Sequence, residues 1–264
     1  MPAKSKLMRR RDKLVDEKRW VENLGDVKQI LDDAGVKYWL DYGTLLGAVR
    51  DGKFIPWDND IDLGAMSTES DKIIAKLPEF EREGFTVDVT DTVICFHRKP
   101  VPIIMALCRF KGDSVWRLWT LRTPRLYRVT RYFTELGSRI LYRNVPGRTK
   151  MLLREKIAFA LIPSFADNII RKFSFRIFEW LGAKYCALVV PKSYFENLDS
   201  ISFYGMRLDT PSPVHDYLSL YYGENWRNPD PNWAHSQYPA IDCSFDIGKR
   251  EELSISECLR EREK

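Results

Sequence analysis

The chain has 264 residues, of which 44% are apolar and 30% are charged. This composition excludes a disordered chain and provides enough apolar side chains for the core of one large domain with an insertion. The net charge of +5 is unevenly placed, since residues 109–185 contain 17 Lys and Arg but only 5 Asp and Glu. The middle of the chain is therefore a basic block.

Cysteine usage and hydrophobic runs set the expected compartment. The five cysteines are odd in number, widely spread and form no Cys-x-x-Cys pair, so neither a disulfide framework nor a zinc site is expected. Residues 1–20 are charged and lack the apolar centre of a signal peptide, and no apolar run reaches 18 residues. We expect a cytoplasmic protein, either free or bound at a membrane surface.

Hydrophobic periodicity predicts both helices and strands. Apolar residues recur every three or four positions from Val21 to Leu31, which predicts an amphipathic helix at 20–34 that Gly35 ends, preceded by a basic tail at 4–13. The elements predicted to follow are, in chain order, a strand at 36–41, a short helix at 45–49, a strand at 60–63, a helix at 70–84 and strands at 85–89, 93–97 and 103–108.

The C-terminal half is predicted to leave the core and then return to it. Helical spacing of apolar residues predicts a mostly helical insertion at 116–184, followed by a strand at 185–190 and a tail rich in Pro and aromatic residues. We therefore expect a catalytic core at 20–115, the insertion at 116–184, and a segment at 185–250 that completes the core.

Three aspartates, Asp58, Asp60 and Asp62, form the most informative feature of the chain. On an extended strand their carboxylates share one face, while Ile61 points into the core. Neighbouring carboxylates would lie roughly 7 Å apart and repel each other by about 2 kcal/mol per pair. A divalent cation would reverse this repulsion, and Mg²⁺ and Mn²⁺ prefer such oxygen ligands. An EF-hand calcium loop is excluded, because Leu63 occupies the position that requires Gly.

A Gly-Thr pair, Gly43 and Thr44, precedes the acids at the predicted start of the short helix. A tight backbone at a helix N-terminus presents N–H groups to an anionic ligand, and the Thr44 hydroxyl adds a donor. Because this turn stands one strand and one helix before the acids, we interpret it as a phosphate-binding turn.

These residues also carry a resemblance to a known family. The stretches LDYGTLLGAVR at 40–50 and IPWDNDIDL at 55–63 resemble the signature of the LicD/fukutin family. The tail at 203–229, with FYG and YYGENW, is similar to that family's C-terminal motif. The resemblance implies an α/β (α+β) nucleotidyltransferase fold of polymerase-β type, in which helices flank a mixed sheet, here with a helical insertion.

The resemblance also implies roles for individual residues. Gly43 and Thr44 would hold the donor phosphate. Asp60 and Asp62 would ligate Mg²⁺ or Mn²⁺. Asp58 would be a further ligand or would orient the acceptor hydroxyl, so the three aspartates together would be the catalytic residues.

One position departs from the family pattern. The family has a third acid in a following strand, whereas the matching stretch here, 103–107, is apolar. Either Asp58, Asp88 or Asp91 takes this role, or the activity is weakened or lost.

Two cations and one aromatic residue lie between or beside these motifs. Arg50 and Lys53 are interpreted either as contacts of the donor diphosphate or as solvent-exposed loop charges. Trp57 either stacks on a base or packs under the turn, and we expect packing.

The resemblance implies a metal-dependent transferase. It would move a phospho-alcohol group, of phosphocholine or alditol phosphate type, from a CDP-linked donor to a hydroxyl of a glycan or glycolipid in cell-surface polysaccharide biosynthesis, with release of CMP. The alternatives are nucleotidyl transfer to RNA or to a small molecule, and a degenerate nucleotide-binding module.

The basic insertion at 116–184 has three interpretations. It is an ordinary helical bundle with solvated Arg, a contact to an anionic membrane or glycolipid acceptor, or a nucleic-acid surface. No nucleic-acid-binding motif occurs in it, so we expect no specific nucleic-acid partner.

Overall fold

The structure, a computed structural model, describes residues 3–90, 92–122, 184–231, 233 and 238–245. The helices are α1 (Ala3–Asp33), α2 (Tyr42–Arg50), α3 (Ser70–Ala75), α4 (Leu77–Arg82) and α5 (Val214–Tyr222). The strands are β1 (Tyr38–Leu40), β2 (Ile61–Met66), β3 (Thr86–Val89), β4 (Val93–Arg98), β5 (Val101–Lys111), β6 (Ser114–Arg122), β7 (Lys184–Pro191), β8 (Asp199–Phe203), β9 (Met206–Thr210) and β10 (Ile241–Asp242). Among the helices of this part of the chain, none has both the length and the apolar character needed to cross a bilayer.

A mixed sheet positions the acidic motif. Strand β2 pairs with β1 in the antiparallel sense and with β5 in the parallel sense, and β5 also pairs with β4, which pairs with β3. One face of the sheet is the main core, where Ile61, Leu63, Ile103 and Met105 are all 0% exposed. The predicted mixed α/β fold is confirmed, including the strands predicted at 36–41, 85–89, 93–97, 103–108 and 185–190.

Strand β5 also pairs with β6, which in turn pairs with β7, and β10 adds to β7, so these strands extend the same sheet to eight strands. Residues 116–122 were predicted as the start of the helical insertion, but they belong to strand β6. The physical reason is pairing, because residues 114–122 find an antiparallel partner in β7, about 70 residues later in the sequence. The remainder of the predicted insertion, 123–183, lies outside the described residues.

Helix α1 buries the apolar stripe that the sequence predicts. Leu24, Val27 and Leu31 are all 0% exposed, and the helix is followed by Gly35 at φ +60°, a conformation that favours glycine. The helix begins at Ala3, so the predicted basic tail at 4–13 is instead part of α1.

The single helix predicted at 70–84 is two helices, α3 and α4. The break falls at Lys76, whose backbone leaves the helical region (φ −95°, ψ 2°). Pro78 explains it, because Pro has no N–H to bond the carbonyl one turn earlier and its ring collides with that turn.

A disulfide joins Cys186 of β7 to Cys243, which follows β10. The sequence predicted no disulfide, so this expectation was wrong. The two cysteines are 57 residues apart and come together because β10 pairs with β7, with Asp242 opposite Ala187. The spacing of the cysteines in the sequence does not indicate this pairing.

Candidate functional site

The three aspartates form one cluster. One carboxylate oxygen of each of Asp58, Asp60 and Asp62 lies within 4.8 Å of those of the other two. Only Asp62 is on strand β2, which begins at Ile61 rather than at residue 60 as predicted. The approach to the strand is turned rather than extended, since Asp58 N–H donates to the Ile55 carbonyl (3.1 Å). The carboxylates are therefore closer than the roughly 7 Å expected for an extended strand.

The electrostatics of the cluster favour a bound cation. Burial, together with the nearby charge of Asp60, raises the pKa of Asp58 to about 6. Burial also raises the pKa of Asp62 well above its usual range, the charges of Asp60, Asp58 and Asp41 add to this, and Arg117 opposes it. The ionised carboxylates are thus disfavoured together in the protein alone, which is the condition that a divalent cation relieves.

Gly43 allows the acids to approach the first turn of α2. A Cβ atom at this position would lie 2.2 Å from Asp58 Oδ2, so no other residue fits without displacing that carboxylate. Gly43 N–H donates to Asp62 Oδ2 (3.2 Å), which links the predicted phosphate turn directly to the acidic cluster. The three acids and the glycine fit a divalent cation, because hard carboxylate oxygens converge on one point.

Thr44 makes a contact that differs from the predicted one. Its side chain is 2% exposed, and its hydroxyl oxygen accepts a hydrogen bond from Asp62 N–H (2.8 Å). Thr44 is absent from the cavity wall described below. The hydroxyl therefore fixes the start of β2 against α2, and it does not face the space in which a phosphate would lie.

The cluster opens into a cavity of about 630 Å³. Arg50 lies in the wall of this cavity, where its guanidinium pairs with Asp51 through Nη2 (2.7 Å). Lys53 is exposed and does not line the cavity. The structure therefore brings one of the two predicted phosphate-binding cations to the site.

Trp57 also lies in the cavity wall. Its side chain is 47% exposed, so the prediction that it packs under the turn was wrong. Pro56 and Trp57 form the turn before the acids, and this turn holds the indole at the surface. Other aromatic residues of the wall are Tyr42, Trp119, Tyr222, Trp226, Trp233 and Tyr238.

The register of the sheet places the stretch 103–107, in which the sequence lacks the expected third acid, beside the acidic strand. Ile104 of β5 is directly opposite Asp62 and lines the cavity. Across the sheet, Ile104 is paired with Cys95 of β4, and Cys95 is paired with Asp88 of β3. Asp88 is therefore three strands from Asp62, roughly 14 Å at the usual strand spacing, and it pairs with His97 (3.2 Å).

Of the three acids proposed for this role, only Asp58 lies in the described part of the cluster. Asp88 is too far away, and Asp91 lies outside the described residues. The geometry makes Asp58 the candidate third acid, and its role stays a prediction.

Two buried charged residues of the site were missed from the sequence. Asp41 is 0% exposed and Arg117 is 3% exposed, and their side chains form an ion pair (Arg117 Nη1 to Asp41 Oδ2, 3.1 Å). Arg117 lines the cavity. The one signal in the sequence is a lone Arg between apolar residues, Trp116 and Leu118, but it fell within the predicted helical insertion.

Comparisons with known proteins locate a family match in the stretch that contains the acidic cluster. Residues 35–99 match the model of the LicD/FKTN/FKRP family, nucleotidyltransferase domain. A stretch of 35 residues, 13% of this chain and 7% of the relative, is 63% identical to the human ribitol 5-phosphate transferase FKRP. The Haemophilus influenzae lipopolysaccharide cholinephosphotransferase LicD is 19% identical over 222 residues, 74% of this chain and 83% of the relative.

An uncharacterised protein of Rickettsia prowazekii, RP689, is 44% identical over 62 residues, 24% of this chain and 23% of the relative. The match to this relative and the match to human FKRP each cover less than a quarter of the relative's length.

Among solved structures, the lincosamide antibiotic adenylyltransferase LnuA with bound lincomycin has 13% identity and a TM-score of 0.38, over 77% of this chain and 86% of that chain. The order of the strands in the mixed sheet and the domain match over residues 35–99 support the nucleotidyltransferase fold. Residues 35–99, which include the acidic cluster and the glycine turn, match the LicD/FKTN/FKRP nucleotidyltransferase domain, and the resemblance seen in the sequence is confirmed for this stretch of the chain.

Proposed function

We propose that the chain is a metal-dependent transferase that moves a phospho-alcohol group from a CDP-linked donor to a hydroxyl of a glycan or glycolipid and releases CMP. The observation that carries this proposal is the cluster of three carboxylates inside one cavity, two of which, those of Asp58 and Asp62, lie against Gly43 at the start of helix α2. The names of two relatives support it, since both FKRP and LicD are described as transferases of a phospho-alcohol group.

In this proposal Asp60 and Asp62 hold Mg²⁺ or Mn²⁺, and Asp58 is a third ligand or accepts the proton of the attacking hydroxyl. When bound, the cation supplies charge neutralisation for the donor diphosphate. Gly43 would lie beside the donor phosphate while its N–H holds Asp62 Oδ2 in place, and the Arg50 guanidinium would add a charge-assisted donor to the phosphate in exchange for its contact with Asp51.

The proposed reaction is an in-line displacement at phosphorus. The acceptor oxygen forms a new P–O bond to the phosphorus that carries the alcohol, and the bond from that phosphorus to the bridging oxygen breaks. The electron pair leaves with CMP, and the hydroxyl proton passes to a carboxylate or to water. Because little covalent chemistry falls to the protein, positioning and charge neutralisation supply most of the rate.

The test is a screen for CMP release. Purified protein is incubated with CDP-ribitol, CDP-choline or CDP-glycerol, with Mg²⁺ or Mn²⁺, and with a glycan or glycolipid acceptor. We expect one donor to give acceptor-dependent CMP that EDTA abolishes, and we expect Asp62→Ala to lower the rate at least 1,000-fold. Asp209→Ala is the matched control, because Asp209 is exposed on β9 and does not line the cavity. Equal turnover by Asp62→Ala and the wild type would overturn the assignment.

A second candidate is a nucleotide-binding module without transferase activity. The observation that favours it is the apolar stretch of β5 beside Asp62, where Ile104 and Ala106 line the cavity and the resemblance implies an acid. In that case the CDP-linked donors would raise the Tm of the protein without CMP release on any acceptor. A ligand at 100 times its Kd stabilises the fold by about 2.7 kcal/mol, so thermal shift measurements detect it readily. Measurable turnover removes this candidate.

A further inference from the structure

Arg117 of β6 is held by a network that draws on distant parts of the chain. Its Nη1 donates to Asp41 Oδ2 (3.1 Å), and its Nη2 donates to the hydroxyl of Tyr221 on α5 (3.0 Å). The hydroxyl of Tyr217, one turn earlier on α5, donates to the other oxygen of Asp41 (2.9 Å). Strand β6, helix α5 and the entry to α2 therefore meet at one buried ion pair.

The same guanidinium covers Tyr42, the residue between the ion pair and the glycine turn. The Arg117 Cζ atom lies 3.6 Å from the centre of the Tyr42 ring, and Asp41 Oδ1 accepts a hydrogen bond from Tyr42 N–H (2.9 Å). Tyr42 has φ +41°, a left-handed conformation that is costly for a residue with a Cβ atom. Such a conformation persists only where its surroundings enforce it, and the Arg117–Asp41 pair supplies those surroundings.

We propose that Arg117 is a positioning residue, which through Asp41 and Tyr42 fixes the backbone of Gly43 against the carboxylate of Asp62. Gly43 N–H donates to Asp62 Oδ2 at 3.2 Å, so a change in the Tyr42 backbone would move this donor directly. The inference rests on the proposed function only in that the cluster binds a divalent cation.

Stability alone is a poor explanation for this ion pair. A fully buried Arg and Asp lose their hydration, and well-packed apolar residues often serve as well in that role. Among the residues that the structure describes, the Nε atom of Arg117 has no hydrogen-bond partner, which adds to the cost of its burial. A positioning role accounts for a charged side chain at this place, because only a planar fork can pair with Asp41 and stack on Tyr42 together.

The test is the affinity of the protein for Mn²⁺ alone, measured by electron paramagnetic resonance of the free ion. Arg117→Lys keeps the positive charge but loses the fork and the stack, and we expect Mn²⁺ to bind 10- to 100-fold more weakly. Arg117→Met separates the two effects. Loss of a nearby positive charge by itself would tighten Mn²⁺ binding, whereas loss of positioning weakens it.

Two further variants complete the experiment. Tyr221→Phe removes one partner of Arg117 and keeps the pair with Asp41, so we expect an intermediate loss of about fivefold in Mn²⁺ affinity. If the Arg117 variants fail to fold, the Mn²⁺ affinity of Tyr221→Phe alone tests the positioning role of Arg117. Arg207→Lys is the matched control, because Arg207 is exposed on β9 and bonds only to Ser200 Oγ (3.0 Å) among the contacts described.

The inference is overturned if Arg117→Lys binds Mn²⁺ as tightly as the wild type, or if Arg117→Met binds it more tightly. If the Arg117 variants do not fold, an unchanged Mn²⁺ affinity in Tyr221→Phe overturns it. If the wild type binds Mn²⁺ and Arg117→Lys weakens it, but no CDP-linked donor is turned over, the proposed function fails and the positioning role stands.

Discussion

The two halves of the candidate site are encoded in different ways. The first half, the glycine turn and the acidic cluster, comes from residues 41–62, a single short stretch of the chain. The second half is the buried network of Asp41, Arg117, Tyr217 and Tyr221, which draws on three segments that are far apart in sequence. Asp41 belongs to both halves, since it also accepts a hydrogen bond from the N–H of Tyr42.

The difference shows which part of a site has a sequence signature. The acids and the glycine come from one short stretch of the chain, so their spacing in the sequence is fixed and recognisable. The network needs only that its side chains meet in space, so β6 and α5 can supply them from anywhere. Whether the second half serves the first is tested by the Arg117 and Tyr221 variants, and changes around each half should differ in size and kind.

The largest expected effect is on stability, at the disulfide beside the second half of the site. Cys243→Ser removes the link between β10 and β7, which closes a loop of 57 residues. We expect the free energy of unfolding in urea to fall by about 4 kcal/mol under non-reducing conditions.

Cys95→Ser is the control, because Cys95 is a free thiol on β4. Tyr238, which precedes β10, lies 5.7 Å from Tyr42 between ring centres, so loss of the disulfide also loosens one wall of the cavity. A fall of less than about 0.5 kcal/mol in Cys243→Ser would show that this bond is not a structural support.

The next effect is on the first half of the site. Gly43→Ala places a Cβ atom 2.2 Å from Asp58 Oδ2, so the carboxylate has to move. We expect kcat to fall about 100-fold, since a misplacement of about 1 Å at a reacting group has this cost. Gly25→Ala is the matched control, because the nearest atom to its Cβ would be Met206 Sδ at 3.7 Å, an ordinary contact. Equal kcat values for the two variants would contradict the close approach.

A smaller effect separates the two cations near the motif. Arg50 lines the cavity and Lys53 is exposed outside it. We expect Arg50→Ala to raise the KM for the CDP-linked donor about tenfold, the value of one charge-assisted hydrogen bond, and Lys53→Ala to leave it unchanged. Each variant serves as the control for the other. A larger effect from Lys53→Ala would place the donor elsewhere.

The smallest effect is a dependence of stability on pH in the metal-free protein. The pKa of Asp58 in the folded protein is raised from 3.8 to about 6 by burial and by the charge of Asp60. Because the folded-state pKa is above the unfolded value, Asp58 stabilises the fold below pH 3.8, and this contribution is lost as the pH rises through about 6. We expect the Tm in EDTA to fall by about 2–4 °C between pH 5 and pH 7, which corresponds to roughly 1 kcal/mol.

Mg²⁺ at millimolar concentration should remove most of this fall, since the cation neutralises the cluster. Asp58→Asn should have a flatter profile in EDTA. If Asp58→Asn and the wild type have the same profile, the dependence arises elsewhere in the protein.

Local signals in the sequence predicted much of the fold. Alternating apolar residues located the strands of the mixed sheet, and the spacing from Val21 to Leu31 located the buried face of α1. The break at Lys76 was missed although Pro78 was visible, because the apolar spacing on both sides suggested a single helix. Strand β6 was missed because its partner, β7, is far away in the sequence.

The site was predictable to the same extent. The acids, Gly43 and Arg50 were predicted to lie together because their motif is continuous, and the structure places them around one cavity. Thr44 was assigned to the ligand, but its hydroxyl is used by the backbone of Asp62. The exposure of Trp57 could not be predicted, since it depends on the direction of one turn. Arg117 and the disulfide depend on contacts between distant segments, which no local pattern records.

The most direct test of the account is the number of Mn²⁺ ions that the protein binds. The central claim is that Asp58, Asp60 and Asp62 form one site for a divalent cation. Titration of the wild type with Mn²⁺, followed by electron paramagnetic resonance, should give one tight site per chain that Mg²⁺ displaces. Asp62→Ala should lack this site, and Asp209→Ala should retain it. Equal binding of Mn²⁺ by Asp62→Ala and the wild type would contradict the account.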